Sequence, residues 1–280
     1  MSASVPLMKR ILPLILVSAA LGVSWVLSKK GAASRESLLP VSRVVAEQTK
    51  GFDRTVAVAF PLSTEEERRI GAEIDRSLSV TSPILAQDDA IAVARWREFG
   101  STAANSSLVG RFRGRYEFRA TPAGGPNAFA LPGGFIYGTL PLLRALGGDS
   151  DALLFTLGHE IGHVELGHCA DAYRLRAGAR DPITAVLGGA LTVGRLFAQL
   201  SFSSTQELEA DAFAVKLVRS VHGDPRGALR AFDALGVSSD AETKRGPGTV
   251  FVEGLTDYFH THPGAWERRS ALEREIAALK

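Results

Sequence analysis

Two histidines and one glutamate have the spacing that zinc-dependent hydrolysis requires. His159 and His163 are four residues apart, and Glu160 directly follows the first of them. On a helix, residues four apart lie one turn above each other, so both imidazoles can reach one ion. Glu160 would lie beside the pair, where a carboxylate can act as general base toward water. The alternative is a helix on which all three side chains are simply solvated.

The residues around this motif predict a helix. Asp149 or Ser150 can cap its N-terminus after Gly147-Gly148. Counted at about 100° per residue, the two histidines lie on the side away from an apolar stripe. That stripe consists of Leu153, Leu154, Leu157, Ile161 and Val164.

A catalytic zinc ion needs at least one further protein ligand. His168 follows His159 by nine residues, so on a continuous helix it points roughly the opposite way. It is therefore expected outside the ligand set or at the surface, unless Gly167 breaks the helix. Glu207 and Asp211 share one helical face, where Glu207 can bind zinc and Asp211 can orient a ligand imidazole. By spacing alone, an ordinary charged helix would be favoured. Glu209 is expected to point away from the face of Glu207 and Asp211. The core side of the helix is expected to consist of Leu208, Phe213, Leu217 and Val218.

A helix and a small sheet are predicted before the motif. From Leu62 the pattern turns helical, with Ser63 or Thr64 as cap and an apolar stripe of Ile70, Ile74 and Leu78. Residues 113–120 alternate as a strand does, and residues 127–139 predict a hairpin around Pro132-Gly133-Gly134. An edge strand of this hairpin could accept an extended peptide by strand addition. An ordinary hairpin that covers the core fits the pattern equally well.

The N-terminal segment predicts a membrane anchor. Between Lys9-Arg10 and Lys29-Lys30, 18 residues carry no charge, which is just long enough to cross a bilayer. A cleaved secretory signal peptide, which would release a soluble secreted form, is the alternative. We predict an anchor over residues 1–30, a linker over 31–60 and a catalytic domain over 61–280, held on the periplasmic or extracytoplasmic side. The uncharged run at 182–194 is too short to span a membrane.

Composition excludes several classes of protein. The net charge is only +2, without the clustered basic excess of a nucleic-acid-binding protein. The stretch Arg111–Arg115 is expected to be a solvated face rather than a phosphate site. A single cysteine, Cys169, excludes a disulfide within the chain and a cysteine-rich zinc site.

Four segments, in order along the chain, resemble the M48 family of zinc metallopeptidases. They are the run Asn127–Gly134, His159-Glu160-x-x-His163, Glu207-x-x-x-Asp211, and Thr261-His262-Pro263 followed by Arg268. The resemblance extends from residue 127 to residue 268. The family often has a Ser-Arg pair just before the ligand glutamate, where this chain has Ser203-Ser204-Thr205. No role that depends on that arginine is therefore assigned.

The resemblance implies a role for each matching residue. One Zn²⁺ ion per chain would be bound by His159, His163 and Glu207, with Glu160 as base and Asp211 holding His159 from behind. His262 and Arg268 would lie near the cleft and stabilise the oxyanion, or His262 would close the open zinc position in a resting state. The strand that binds substrate backbone would be formed by Asn127, Ala128, Phe129 and Ala130.

These observations together predict an α+β fold. It is a mainly helical, zincin-like metallopeptidase domain with a small antiparallel sheet, preceded by an N-terminal transmembrane helix of the single-anchor or periplasmic type. The resemblance implies a zinc-dependent endopeptidase that acts on misfolded or unassembled membrane or envelope proteins. Two alternatives stay open: an auto-inhibited, zinc-binding chaperone-like or assembly module, and a structural membrane-anchored protein with fortuitous histidine pairs. The predicted partners are protein or peptide substrates and the membrane, without nucleic acid, and the oligomeric state is open.

Overall fold

The computed structural model describes residues 62–78, 86–122, 124–177, 202–237, 262 and 264–279. Its helices are α1 (Thr64–Leu78), α2 (Gln87–Ala104), α3 (Leu140–Leu146), α4 (Ser150–Glu165), α5 (His168–Ala177), α6 (Ser204–Ser220), α7 (Gly227–Ala234) and α8 (Ala265–Ala277). Its strands are β1 (Glu117–Thr121), β2 (Ala128–Leu131) and β3 (Phe135–Thr139). A mainly helical α+β fold with a small sheet is thereby confirmed.

The sheet is mixed, so the expectation of an antiparallel sheet is wrong for one of its two strand pairs. The strand order is β1-β3-β2, with β2 antiparallel to β3 as the hairpin requires. Strand β3 lies between β1 and β2 in the sheet, and β1 pairs with it in parallel. The strand predicted over residues 113–120 begins only at Glu117, because residues 111–114 form turns.

Strand β2 lies at the edge of the sheet that the described residues form. The carbonyl of Asn127 accepts a hydrogen bond from Thr139 N at 2.9 Å, which fixes the register of the ladder. In an antiparallel pair, alternate residues direct their backbone groups to the same partner. The backbone groups of Phe129 and Leu131 therefore face β3, whereas those of Ala128 and Ala130 face the outer edge of the sheet.

The predicted caps and apolar stripes of α1 and α4 are confirmed. The Ser63 hydroxyl accepts from Glu66 N, and the Glu66 carboxylate accepts from Ser63 N. Ile70 and Ile74 of α1 are buried against the hairpin. Asp149 caps α4 by accepting from two backbone N–H groups at 3.0 and 3.1 Å. The stripe of α4 is buried in the main core, with each member at most 5% exposed.

Small residues allow α4 and α6 to approach closely. A Cβ added at Gly158 would lie 3.2 Å from the Cα of Ala214, and one at Gly162 would lie 3.3 Å from the Cα of Ala210. The buried face of α6 consists of Glu207, Ala210, Asp211, Ala214, Val215, Leu217 and Val218. Burial of Leu217 and Val218 confirms that part of the predicted core side. Leu208 is 40% exposed and was wrongly assigned to it.

We expect Gly162→Val to force these helices apart. Overpacking of this kind costs about 1–3 kcal/mol of unfolding free energy, and displacement of α6 should also weaken metal binding. Urea denaturation and a metal-affinity measurement would test both effects. The control Ala94→Val enlarges an exposed position of α2 and should change stability by no more than about 0.5 kcal/mol. Wild-type stability in Gly162→Val would contradict the close helix contact.

Several sequence-based predictions fall outside the described residues. They concern the anchor over 1–30, the linker over 31–60 and the uncharged run over 182–194. Among the helices that the structure describes, none is both long and apolar enough to span a membrane. The domain boundaries stay predictions.

Candidate metal centre

Two helices and the segment before α8 bring four possible ligands together. His159 and His163 come from α4, Glu207 from the first turn of α6, and His262 from the segment before α8. All four side chains are at most 1% exposed. One ligand atom from each lies within 4.8 Å of every other. The sequence reasoning placed the first three in one site and left His262 with two possible roles.

The spacing of these atoms fits a tetrahedral metal ion. Ligand atoms that lie ~2.0–2.1 Å from a tetrahedral centre are ~3.3–3.4 Å apart. The Nε2 atoms of His159 and His163 are 3.1 Å apart, and Glu207 carboxylate oxygens lie 3.4 and 3.6 Å from them. Nδ1 of His262 lies 3.2 Å from His159 Nε2 and 3.2 Å from each Glu207 oxygen. Two or three imidazoles and one carboxylate are a donor set that zinc commonly takes.

The charges in the cluster also favour a cation. Burial and the Arg268 charge oppose protonation of His159, but hydrogen bonds to Asp211 and Glu207 outweigh them and raise its pKa to about 9. Burial and the His159 charge hold the pKa of His163 well below its usual range. Burial opposes ionisation of Glu207, yet the His262 and Arg268 charges hold its pKa well below the usual range. The ionised carboxylate of Glu207 therefore faces the imidazoles and supplies the negative charge that a bound cation would need.

Asp211 and Arg268 hold the ligands from behind. Asp211 Oδ1 lies 2.9 Å from His159 Nδ1, which leaves His159 Nε2 directed into the cluster. Arg268 is 1% exposed and donates from Nε and Nη2 to the Asp211 carboxylate, each at 2.7 Å. Its Nη1 lies 2.6 Å from Glu207 Oε2. The predicted position of Asp211 behind His159 agrees with this geometry, and the guanidinium of Arg268 faces two carboxylates.

Glu160 is buried without a hydrogen-bond partner. Its side chain is 0% exposed, and neither carboxylate oxygen has a partner among the described residues. Burial raises the pKa of this carboxyl, although the neighbouring His262 and His159 charges oppose the rise. His262 Nε2 lies 3.4 Å from Glu160 Oε1. An orphaned buried carboxylate is costly, so its presence beside the cluster points to a partner such as a water molecule or substrate group.

The outer edge of β2 is in contact with His262 of the centre and with the buried Cys169. His262 Nε2 lies 3.3 Å from the Ala128 carbonyl oxygen, and the Cys169 thiol donates to the Ala130 carbonyl at 3.6 Å. These are the carbonyls that an added strand would use. The sequence reasoning assigned residues 127–130 to substrate binding but did not foresee these contacts.

Of three further residues at the centre, His168 lies behind a ligand, which is one of the two positions expected for it, whereas Glu209 was misplaced and Phe202 was missed. Helix α4 ends before Gly167, which has φ +80°, so the assumption of a continuous helix fails and His168 turns back toward His163. Glu209, expected to point elsewhere, lies 3.2 Å from His168. Phe202 stacks on the His163 ring with 3.8 Å between centroids. Its only sequence signal is its place before Ser203, which caps α6 in a capping box with Gln206.

Comparisons with known proteins find relatives that are named as metallopeptidases. The chain is 31% identical over 156 residues to mitochondrial metalloendopeptidase OMA1 of Arabidopsis thaliana, an alignment that covers 52% of this chain and 28% of that protein. It is 27% identical over 168 residues to metalloprotease YcaL and 24% identical over 163 residues to metalloprotease LoiP, both of Escherichia coli strain K12. These two alignments cover 55% and 54% of this chain and 59% of each relative.

The family model for peptidase family M48 matches residues 97–276, which include every residue of the cluster. The match covers more than half of the chain. The chain therefore belongs to peptidase family M48.

Proposed function

We propose that the chain is a zinc-dependent endopeptidase that hydrolyses internal peptide bonds. The observation that carries this proposal is a fully buried His159–His163–Glu207 set at tetrahedral spacing, adjacent to the Glu160 carboxylate, which accepts no hydrogen bond from the described residues. The names of the relatives, metalloendopeptidase and metalloprotease, support it. Because this chain matches less than two thirds of each relative's length, the activity stays a proposal.

The proposed chemistry divides between the metal and the protein. Zinc bound by these three residues would acidify a water molecule and polarise the scissile carbonyl. Glu160 takes the proton of the attacking water and passes it to the leaving amine. Its burial suits this role, since the pKa of the carboxyl is raised and, among the described residues, neither of its oxygens accepts a hydrogen bond.

Arg268 and His262 have different proposed roles. Arg268 directs its donors at Glu207 and Asp211, so we assign it to holding these carboxylates in place rather than to direct contact with an oxyanion. His262 Nε2 lies beside both Glu160 and the edge strand, where a donor could reach the oxygen of a bound peptide. With Nδ1 toward the other ligands, the same side chain can instead complete a closed, resting tetrahedron.

The proposed substrate is an extended protein segment that adds to the outer edge of β2. Pairing at Ala128 and Ala130 requires that His262 and Cys169 release the two carbonyls. Chains that are misfolded or unassembled offer such segments, whereas folded proteins do not. We therefore propose misfolded or unassembled membrane or envelope proteins as substrates, with the catalytic domain anchored by residues 1–30 on the extracytoplasmic side.

The test is metal-dependent hydrolysis by the full chain in detergent, with an unfolded protein as substrate. Chelation should abolish cleavage, and one equivalent of Zn²⁺ per chain should restore it. The same protein in its folded form serves as the matched control and should be cleaved far more slowly. Undiminished cleavage after verified metal removal would rule out the proposed mechanism.

A second candidate is an auto-inhibited binding or assembly module. The observation in its favour is His262, whose Nδ1 occupies the fourth corner of the ligand set. The same assay with His262→Ala separates the two functions. Cleavage by either the wild-type chain or this variant supports the peptidase. Zinc-loaded protein that is inactive in both forms supports the binding module.

A further inference from the structure

His163 has a support that reaches from the metal centre to the protein surface. Its Nδ1 lies 3.0 Å from Nδ1 of His168, whose Nε2 lies 3.2 Å from Glu209 Oε2. Exposure increases along this series, with His163 at 0%, the His168 side chain at 3% and the Glu209 side chain at 37%. The three side chains come from α4, from the first residue of α5 and from α6.

The positions of the ring protons give both hydrogen bonds the same donor-to-acceptor direction, from the metal centre toward the surface. If His163 binds zinc through Nε2, its neutral ring carries its proton on Nδ1 and donates to His168. His168 must then accept at Nδ1, so its own proton is on Nε2 and faces Glu209. The carboxylate of Glu209 accepts this last hydrogen bond. Each of the two hydrogen bonds therefore fixes the tautomer of the ring before it.

The support of His163 parallels that of His159. A metal-binding histidine usually donates its second N–H to a carboxylate or carbonyl, and this bond orients the ring. His159 donates directly to Asp211, whereas His163 reaches a carboxylate only through a second imidazole. The left-handed Gly167 makes this possible, because it ends α4 and returns the chain so that His168 meets His163.

We infer that His168 and Glu209 are positioning residues that orient His163 for metal binding through a directed imidazole–carboxylate relay. The inference rests on the proposed ligand role of His163. Phe202 restrains the ring by stacking on its face. Among the described residues, the hydrogen bond that His163 Nδ1 donates to His168 specifies that Nε2 of His163 is left for the metal.

The test compares the Zn²⁺ affinities of full-chain variants by competition with a chromophoric chelator. His168→Leu removes the acceptor, and loss of such a partner typically lowers metal affinity about 10- to 100-fold. His168→Asn retains an oxygen near the Nδ1 position and should recover most of the affinity. Glu209→Gln retains a hydrogen-bond acceptor without its charge, and its Zn²⁺ affinity should lie between those of His168→Leu and the wild type. Glu98→Gln removes an exposed carboxylate from α2 and should leave the affinity unchanged.

The tautomer of His168 provides a second measurement on the unaltered protein. In ¹⁵N-histidine-labelled, zinc-loaded chain, two-bond ¹H–¹⁵N correlations should show His168 protonated at Nε2 and unprotonated at Nδ1. Protonation at Nδ1, or equal affinities of His168→Leu and the wild type, would overturn the relay. If wild-type chain does not bind zinc, or if His163→Ala binds it equally well, the proposed metal centre itself is wrong. The two failures are therefore distinguishable.

Discussion

Replacement of Glu160 by Gln is expected to abolish peptide hydrolysis while zinc stays bound. The substitution retains the size of the side chain and leaves His159, His163 and Glu207 intact, but an amide cannot take the proton of the attacking water. Loss of a general base typically costs about 10²- to 10⁴-fold in rate. Zinc content by metal analysis and kcat/KM on an unfolded substrate would be measured on the same preparation. Full activity in this variant would exclude the mechanism.

The same substitution should stabilise the protein. Both oxygens of Glu160 are buried and have no hydrogen-bond partner in the part of the chain that the structure describes, and burial raises the pKa of the carboxyl. Removal of its charge therefore lowers a desolvation cost that wild-type protein carries for function. We expect the midpoint of thermal unfolding of metal-free protein to rise in Glu160→Gln. The exposed control Glu98→Gln should leave it unchanged. A lower midpoint in the Glu160 variant would mean that this carboxylate has a stabilising partner.

The parts of the fold that the sequence predicted correctly depend on local interactions. The cap at Asp149 and the apolar stripe of α4 involve residues within a few turns of each other, and their pattern determines the helix that presents His159 and His163. The hairpin also follows from a local turn signal. The pairing of β1 does not follow from a local signal. Strand β1 pairs in parallel with β3, and this depends on the path that the chain takes between β1 and the hairpin.

The parts that were missed depend on one backbone angle or on contacts between distant segments. Gly167 adopts φ +80°, and this single residue decides whether His168 points away from the centre or back toward it. Glu209 is 41 residues from His168 in the sequence, so no periodicity within either helix could join them. The burial of Glu160 without a partner likewise results from how α4 packs against other elements.

The close contact between α4 and α6 corresponds to a pattern of small residues in the sequence. Gly158 and Gly162 are four residues apart, as are Ala210 and Ala214, and both pairs lie at the contact. Matching stripes of small residues on two helices indicate a close approach. They would have supported Glu207 as the distant ligand without reference to any family. The cap and the charges of α6 alone fit a zinc-binding Glu207 and a solvent-exposed Glu207 equally well.

Glu207→Gln makes the same chemical change as Glu160→Gln at an equally buried position, and its consequences should be opposite. Glu207 lies 2.6 Å from Arg268 Nη1 and faces three imidazoles. It is the one carboxylate in the ligand cluster of the described residues. Neutralising it should lower zinc affinity by more than the ~10- to 100-fold that outer partners of a metal site typically cost.

The stability of metal-free Glu207→Gln should also fall, by at most about 1.5–3 kcal/mol, the whole contribution of a hydrogen bond to a charged group, because the bond from Arg268 is then made to a neutral amide. Arg268 keeps its two bonds to Asp211, so the variant is expected to fold. Denaturant unfolding and chelator competition on both glutamine variants would measure the contrast directly. If both variants gained stability, or if Glu207→Gln bound zinc like the wild type, Glu207 would not be a ligand and the centre would have to be assembled from other residues.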